Sequence, residues 1–144
     1  MSSPLRAVGQ ALLGSFLVLA GVAHLTFART EFRAQVPPWF PADADLVVLV
    51  SGVVEIAVGA ALLLVWRHPA RAVVGLVTAA LFVAVFPGNI AQLTEHRDAF
   101  GLTSDTSRAV RLLFQPVLVV WAVWSTGAWR WWRRRRVPPP EQHP

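Results

Sequence analysis

Five polar side chains stand inside long apolar stretches of this sequence, where groups that can do chemistry are rare. They are His24, Glu55, Asn89, Arg111 and Gln115. Glu55 is the most informative, because an ionised carboxylate inside hydrocarbon costs several kcal/mol unless it is paired or neutral. Its candidate partners are His24, Arg111 and Arg108, and the sequence leaves the protonation state of the carboxyl group open.

Such a set of side chains can bind a ligand, bind a metal ion, or form hydrogen bonds with one another that hold the helices together. A ligand or redox cofactor needs one donor and one acceptor for its head group, which His24 and Glu55 can supply, with Phe86 and Phe114 lining the pocket. A metal ion could take His24, Glu55 and Asn89, but no apolar stretch contains a paired-ligand motif, so we expect no metal site. The third alternative is a network that satisfies its own hydrogen bonds and fixes helix register.

Four apolar stretches must position these side chains, and each has the roughly 20 residues that cross a hydrocarbon core of about 30 Å as a helix. They cover residues 5–27, 46–66, 70–91 and 108–128. The sequence therefore predicts an all-α integral membrane four-helix bundle in one domain, residues 1–130, followed by a basic and then Pro-rich tail, residues 131–144. We expect Pro87 and Gly88 to interrupt the third stretch and residues 137–144 to be disordered. A cleaved signal peptide is the alternative for the first stretch, although the apolar run is long for that.

Charge sets the expected orientation. Charged residues make up 15% of the sequence and cluster between the apolar stretches. All 13 basic residues are arginine: eight lie at the N-terminus, in the second link and in the tail, and three lie in the first and third links. The positive-inside rule therefore predicts that both termini are cytoplasmic. Abundant Ala, Val and Arg indicates a bacterial source, and hence a multi-pass protein of the bacterial inner membrane.

The basic tail indicates a lipid partner. Five arginines, at positions 130 and 133–136, directly follow the last apolar stretch, and several tryptophans approach the same boundary. In that position arginines predict contact with anionic lipid headgroups, and tryptophans favour the interface. We therefore expect no nucleic-acid partner despite the formal net charge of +5.

The polar side chains are expected at one level. With both termini inside, the first and third stretches end outside, and the second and fourth begin there. His24 then lies about 5 Å and Glu55 about 14 Å below the outer boundary. Asn89, Arg111 and Gln115 fall in the same outer half, and we expect no polar side chain in the inner half.

Glycines mark the expected packed faces. Gly14 and Gly21 are seven residues apart in the first stretch, and Gly52 and Gly59 are seven apart in the second. A spacing of seven returns to the same helix face, where small residues let helices approach closely. The polar residues of these two stretches each follow a glycine by three positions, so we expect them on the packed faces.

The first outer link is too apolar for an ordinary loop. Residues 36–41 read Val-Pro-Pro-Trp-Phe-Pro, and three prolines exclude a regular helix. We expect this segment to lie on or dip into the outer interface and to cap the bundle. A plain extended linker is the alternative.

The sequence contains no cysteine. The chain therefore cannot perform thiol–disulfide exchange with its own side chains, and it cannot form disulfides or cysteine-ligated zinc or iron–sulfur sites.

The order of five short motifs resembles the DoxX-like family of small four-helix membrane proteins, over about residues 10–125 of this chain. The motifs are Gly21-Val22-Ala23-His24, Val36-Pro37-Pro38-Trp39-Phe40-Pro41, Ser51-Gly52-Val53-Val54-Glu55-Ile56, Phe86-Pro87-Gly88-Asn89-Ile90 and Arg111-Leu112-Leu113-Phe114-Gln115-Pro116. The resemblance implies a small protein of the bacterial inner membrane. It also implies a link to redox or thiol-oxidation complexes, since the family is named after a subunit of a thiosulfate:quinone oxidoreductase. Its recurrent polar positions match the five polar residues, and no catalytic role comes with them.

Three functional hypotheses follow. The first is a module that binds a small apolar or quinone-like molecule within a membrane redox system, with a membrane or redox protein as partner. The second is a structural or assembly subunit of a membrane complex, without a ligand of its own. The third is a proton-coupled transporter built on the isolated Glu55, which the lack of polar residues expected in the inner half argues against.

Overall fold

Six helices make up the described part of the chain, which in this computed structural model is residues 3–98, 101 and 103–138. They are α1 (Pro4–Leu25), α2 (Arg29–Arg33), α3 (Ala44–Leu64), α4 (Ala70–Thr94), α5 (Asp105–Thr126) and α6 (Ala128–Arg136). Four of them, α1, α3, α4 and α5, are long and apolar enough to cross a membrane. This confirms the prediction of an all-α protein with four such helices. Residues 139–144, at the end of the predicted disordered tail, lie outside the described residues.

Short polar side chains set where the long helices begin. Ser3, Asp43 and Ser104 each stand just before a helix, and each side-chain oxygen accepts a backbone N–H from the first turn. Such caps satisfy donors that have no partner within the helix. As a result, α3 and α5 begin two and three residues before the predicted apolar stretches, at Ala44 and Asp105.

The four long helices form a ring of neighbours. α1 packs along α3, and α4 packs along α5, while α1 also touches α5 and α3 touches α4. The order around the bundle is therefore α3, α1, α5, α4. Its apolar core consists of Leu13, Leu17, Val58, Leu62, Ala79, Phe82 and Ala122.

Glycine pairs bring α1 and α3 into backbone contact. A Cβ atom on Gly21 would lie 2.6 Å from the Gly52 carbonyl oxygen, and one on Gly14 would lie 2.9 Å from the Gly59 carbonyl oxygen. Real Cβ atoms essentially never approach so closely, so only glycine fits at this crossing. The prediction that the glycines mark packed faces is confirmed.

The outer surfaces of the long helices are apolar. On α1, a stripe at spacings of three and four residues faces away from the bundle, formed by Leu5, Val8, Leu12, Phe16 and Leu19. The inward face of the same helix holds three glycines, two leucines and the polar residues Gln10 and His24. Contiguous apolar stripes on outward-facing helix surfaces are unusual in water-soluble domains.

The two ends of the bundle differ in charge. One end holds the start of α1, the link between α3 and α4, and the end of α5. We call it the basic end, defined by Arg6, Arg67, Arg71 and Arg130. The opposite end is the acidic end, defined by Asp45, Glu95, Asp98 and Asp105.

The Pro-rich segment 36–41 is attached to the acidic end. Arg97 Nη1 donates to the carbonyl oxygens of Ala34 and Val36 at 2.9 and 2.8 Å. The Gln35 carbonyl oxygen lies 2.8 Å from the position of a Cβ atom on Gly88, so the chain passes directly against α4. The beginning of the segment is therefore fixed to the end of α4.

Two features differ from the expectation. α4 is not interrupted at Pro87 and Gly88 but continues to Thr94, because a proline removes one backbone donor and the rest of the ladder holds the helix. The sequence also did not predict a further helix, α6, which follows Gly127 and ends at Arg136, before residues 137–144. That glycine adopts φ 71°, ends α5 and lets a new helix start at Ala128.

Candidate functional site

His24 and Glu55 face each other between α1 and α3. His24 Nδ1 lies 3.3 Å from Glu55 Oε2, and the two residues are 6% and 8% exposed. The close glycine contact makes this possible, since a Cβ on Gly52 would lie 2.8 Å from the His24 Cβ. Glu55 lies midway along α3, and its side chain leans towards the helix N-terminus, which is at the acidic end.

The Glu55 carboxyl group is only partly satisfied. His24 Nδ1 lies 2.7 Å from the Ala20 carbonyl oxygen, and since a carbonyl can only accept, Nδ1 carries the proton and donates it there. The 3.3 Å approach to Glu55 is therefore not a hydrogen bond. Within the described residues, Glu55 Oε2 is fully buried and has no hydrogen-bond partner. In the neutral imidazole, His24 Nε2 is then a second acceptor.

An aromatic ring covers the pair. The Phe32 ring from α2 stacks on the His24 imidazole, with centroids 3.3 Å apart and planes within 15°. Phe32 belongs to a five-residue helix between turns, not to one of the long helices. A flat ring therefore already occupies the face of His24, and it is held by a short element.

A second polar pair joins α4 and α5. Asn89 Nδ2 donates to Gln115 Oε1 at 3.0 Å, and Gln115 Nε2 donates to the Phe82 carbonyl oxygen at 2.8 Å. Both side chains are buried, at 8% and 7% exposure. The bond to Phe82 falls next to the carbonyl of Val83, which Pro87 leaves without its usual helical donor.

Arg111 forms a cluster with Gln92 and Gln35, next to the Asn89–Gln115 pair and nearer the acidic end. Its Nη1 donates to Gln92 Oε1 at 3.2 Å. When the Gln35 amide is turned so that its side-chain oxygen faces Arg111, that oxygen accepts a hydrogen bond from Arg111 Nη2 at 2.6 Å. In the described part of the chain, the fully buried Gln92 Nε2 has no hydrogen-bond partner.

The five predicted residues thus form two groups. His24 and Glu55 lie together on α1 and α3, whereas Asn89, Gln115 and Arg111 lie on α4 and α5. The sequence offered three partners for Glu55, and the structure places His24 beside it.

Two neighbouring residues do not take the places that the sequence suggested. Arg108, a candidate partner of Glu55, is 4% exposed and pairs instead with Asp98 and Asp105, because the third link folds back over the start of α5. Phe114 was expected to line a pocket, but it is 55% exposed, because the inward face of α5 at that level is taken by Gln115.

The expectation of an inner half without polar groups is also wrong. At the basic end, Gln10 Nε2 donates to the carbonyl oxygens of Leu62 and Val65 at 2.7 and 3.1 Å. Gln10 Oε1 accepts from Arg71 Nε at 2.6 Å, and Arg71 Nη2 donates to the Ser125 carbonyl oxygen at 2.8 Å. Gln10 therefore satisfies carbonyls at the end of α3, which have no helical partner. The buried position of Gln10 could have been predicted from the sequence, since this residue lies four positions before Gly14 and hence on the packed face of α1.

The described residues offer little for a metal ion. They contain no group of three His, Asp or Glu side chains close enough to share one. A concavity of about 480 Å³ opens at the acidic end, lined by α2, by the segment 36–41 and by Arg97. Its walls come from the links, whereas His24 and Glu55 lie between α1 and α3.

Comparison with known proteins gives a family without an assigned activity. Neither the curated proteins nor the solved structures contain a match to this chain. Residues 13–126, which include α3, α4, α5, the second half of α1 and both polar pairs, match a domain of unknown function, DUF8561. The chain therefore belongs to the DUF8561 family.

Proposed function

We propose that this protein spans the bacterial inner membrane with both termini in the cytoplasm and binds a small apolar, quinone-like molecule at the His24–Glu55 pair. It acts as a component of a membrane redox system. The proposal has three parts, which are the membrane topology, the ligand site and the redox context.

Membrane insertion is supported by the apolar outer surfaces of the long helices. The stripe from Leu5 to Leu19 has no partner within the described bundle, and acyl chains would cover it. The orientation is supported by the arginine count, since eight of 13 arginines belong to the basic end and the tail. The tail then meets the anionic headgroups of the cytoplasmic leaflet.

The ligand site is carried by one observation, the buried Glu55 Oε2 without a hydrogen-bond partner in the described part of the chain. Buried polar atoms are nearly always paired, because an unpaired one costs about 1–3 kcal/mol. A hydroxyl group on a ligand satisfies this oxygen, and His24 Nε2 offers a second acceptor. The site therefore suits a donor, such as the hydroxyl group of a reduced quinone.

The shape of the site suits a flat ring. Phe32 stacks on His24 at 3.3 Å, so the imidazole face already accepts a planar aromatic group. A quinone-like ring entering at this level displaces Phe32, which is carried by the short helix α2. Phe114, which the sequence suggested as a lining residue, takes no part in this site.

The redox context rests on the resemblance of the five motifs to the DoxX-like family, together with the preference of the site for a hydroxyl donor. The absence of cysteine requires that any thiol chemistry belongs to a partner protein. A structural subunit without a ligand is the alternative function, and it predicts a stable protein partner and no small molecule.

Native mass spectrometry of the full chain in mild detergent tests the ligand site. The protein is analysed as purified and after incubation with a short-chain ubiquinol analogue. Glu55→Gln keeps the size of the side chain but replaces one acceptor oxygen by a donor. Glu95→Gln removes the same charge at a partly exposed side chain that pairs with Arg97, and it serves as the matched control.

An adduct on the wild type and Glu95→Gln, absent from Glu55→Gln, supports the site. Equal adducts on all three proteins place the molecule elsewhere and overturn it. An apo mass for all three, with a protein partner that co-purifies, favours the structural subunit instead.

A further inference from the structure

A groove at the basic end combines an apolar floor with two positive charges. It has a volume of about 400 Å³ and runs along α5 and the start of α6. Its lining includes Val120, Val123 and Trp124 of α5, together with Trp129 of α6. The charged side chains that line it are Arg6 and Arg130, both basic.

The groove exists because the chain turns sharply at Gly127. Its φ of 71° is a backbone conformation that side chains disfavour, and it separates α5 from α6. The turn brings Trp129 and Arg130 to the same groove as Val123 and Trp124. Arg6, from the start of α1, completes it, with its guanidinium 5.9 Å from the centre of the Trp124 ring.

The surroundings of the groove are strongly positive. His68 lies close to Gly127, since a Cβ on that glycine would lie 3.5 Å from the imidazole. The pKa of His68 is lowered, first by partial burial and then by the charges of Arg71 and Arg130. An anion placed in the groove would therefore be attracted by more charges than the two that line it.

The groove also faces outward from the bundle. Val120 is 66% exposed and Trp129 is 51% exposed, so these surfaces are open to whatever surrounds the protein. A free inorganic anion would gain nothing from valine and tryptophan walls. A molecule with both an anionic group and an aliphatic chain satisfies the arginines and the apolar walls together.

We propose that this groove binds one anionic phospholipid, with its phosphate between Arg6 and Arg130 and an acyl chain along Val120 and Val123. Trp124 and Trp129 then lie at the level of the glycerol backbone, where tryptophan prefers to sit. This site is specific in position, unlike the general attraction of a basic tail to a charged surface. It is independent of the ligand proposed at His24 and Glu55.

The test is a titration of the purified full chain with phosphatidylglycerol and, separately, phosphatidylcholine, followed by native mass spectrometry at moderate salt. Arg6→Gln combined with Arg130→Gln removes the two charges of the groove. Arg135→Gln combined with Arg136→Gln removes two charges from the same basic tail outside the groove lining, where these arginines lie over Trp131 and Trp132, and is the matched control. Val120→Trp fills the acyl path without changing any charge, and it replaces a side chain that is mostly exposed.

We expect the wild type to retain one phosphatidylglycerol in preference to phosphatidylcholine. The groove variant should lose roughly thirtyfold in affinity, since each arginine near a headgroup contributes to binding. The control variant should bind as the wild type does within about twofold, and Val120→Trp should lose binding while the protein stays folded.

Three results would overturn the proposal. Equal losses in the two double variants would reduce the effect to general attraction by the tail. Equal retention of the two lipids would remove the role of the charge. If the groove variant fails to fold, normal lipid binding by Val120→Trp would still refute the acyl path.

Discussion

Replacing Gln10 by leucine should remove the closest hydrogen-bond acceptor of the buried Arg71 guanidinium. Arg71 is 3% exposed, and its Nε donates to Gln10 Oε1 at 2.6 Å. Leucine preserves the size and the apolar packing of the position but offers no polar atom. Arg71 then keeps its bond to the Ser125 carbonyl and its position over the Trp66 ring, at 5.4 Å.

The size of the effect follows from the bonds that are lost. A hydrogen bond to a charged group contributes about 1.5–3 kcal/mol, and a neutral bond between membrane helices contributes about 0.6 kcal/mol. Gln10 makes one of the first kind, to Arg71, and two of the second, to the carbonyls of Leu62 and Val65. We therefore expect Gln10→Leu to lower the free energy of unfolding by about 3 kcal/mol.

Removing the Arg71 charge should lower the free energy of unfolding less than Gln10→Leu does. Arg71→Met gives up the same bond to Gln10, but it also removes a buried cation whose desolvation costs several kcal/mol. We expect a loss of about 1 kcal/mol, and a double variant no less stable than Gln10→Leu alone. Arg67→Met, an exposed arginine in the same link, should leave stability unchanged and is the control.

Equilibrium unfolding in detergent, followed by tryptophan fluorescence, measures these differences, because Trp66 and Trp121 lie at this end of the bundle. A Gln10→Leu variant no less stable than Arg71→Met would contradict this prediction. Additive losses of unfolding free energy in the double variant would also contradict it, since Arg71 would then reach water without help from Gln10.

Two further changes test the helix contact and the basic end. Gly21→Ala should lower the free energy of unfolding by about 1–3 kcal/mol, because its Cβ would lie 2.6 Å from the Gly52 carbonyl oxygen. Val22→Ala, on the exposed face of α1, should lower it much less and is the control. Equal thermal midpoints for the two variants would contradict the backbone contact. The His68 pKa lies below its ordinary value, so the unfolded chain binds more protons and stability should fall as the pH drops below about 6.5. His68→Gln should flatten that dependence, and a histidine NMR titration at or above the ordinary value would refute it.

The four long helices were predictable because each is a run of apolar residues of membrane length, and that signal does not depend on how the runs pack. Their ends were less predictable. Asp43 and Ser104 start α3 and α5 earlier than hydropathy indicates, because a side-chain cap is a local geometric effect that an apolar run does not record. Pro87 was misjudged for a similar reason, since a long helix tolerates the loss of one donor.

The candidate site was partly predictable. The glycine spacing identified the faces of His24 and Glu55, and the structure brings these two side chains together. The same rule, applied one turn earlier, would have found Gln10 on the face of Gly14. Phe32 could not be found this way, because its place over His24 depends on how a link folds back.

The contrast between the two ends bears on the choice between a ligand site and a self-satisfied network. In the described part of the chain, two fully buried side-chain atoms have no hydrogen-bond partner, Glu55 Oε2 and Gln92 Nε2, and both belong to the half of the bundle nearest the acidic end. At the basic end, by contrast, Gln10 uses both its amide nitrogen and its oxygen. A structural network explains that end completely, because it joins helices and satisfies carbonyls. It does not explain the acceptor left open at Glu55, which is the atom that the proposed ligand would satisfy.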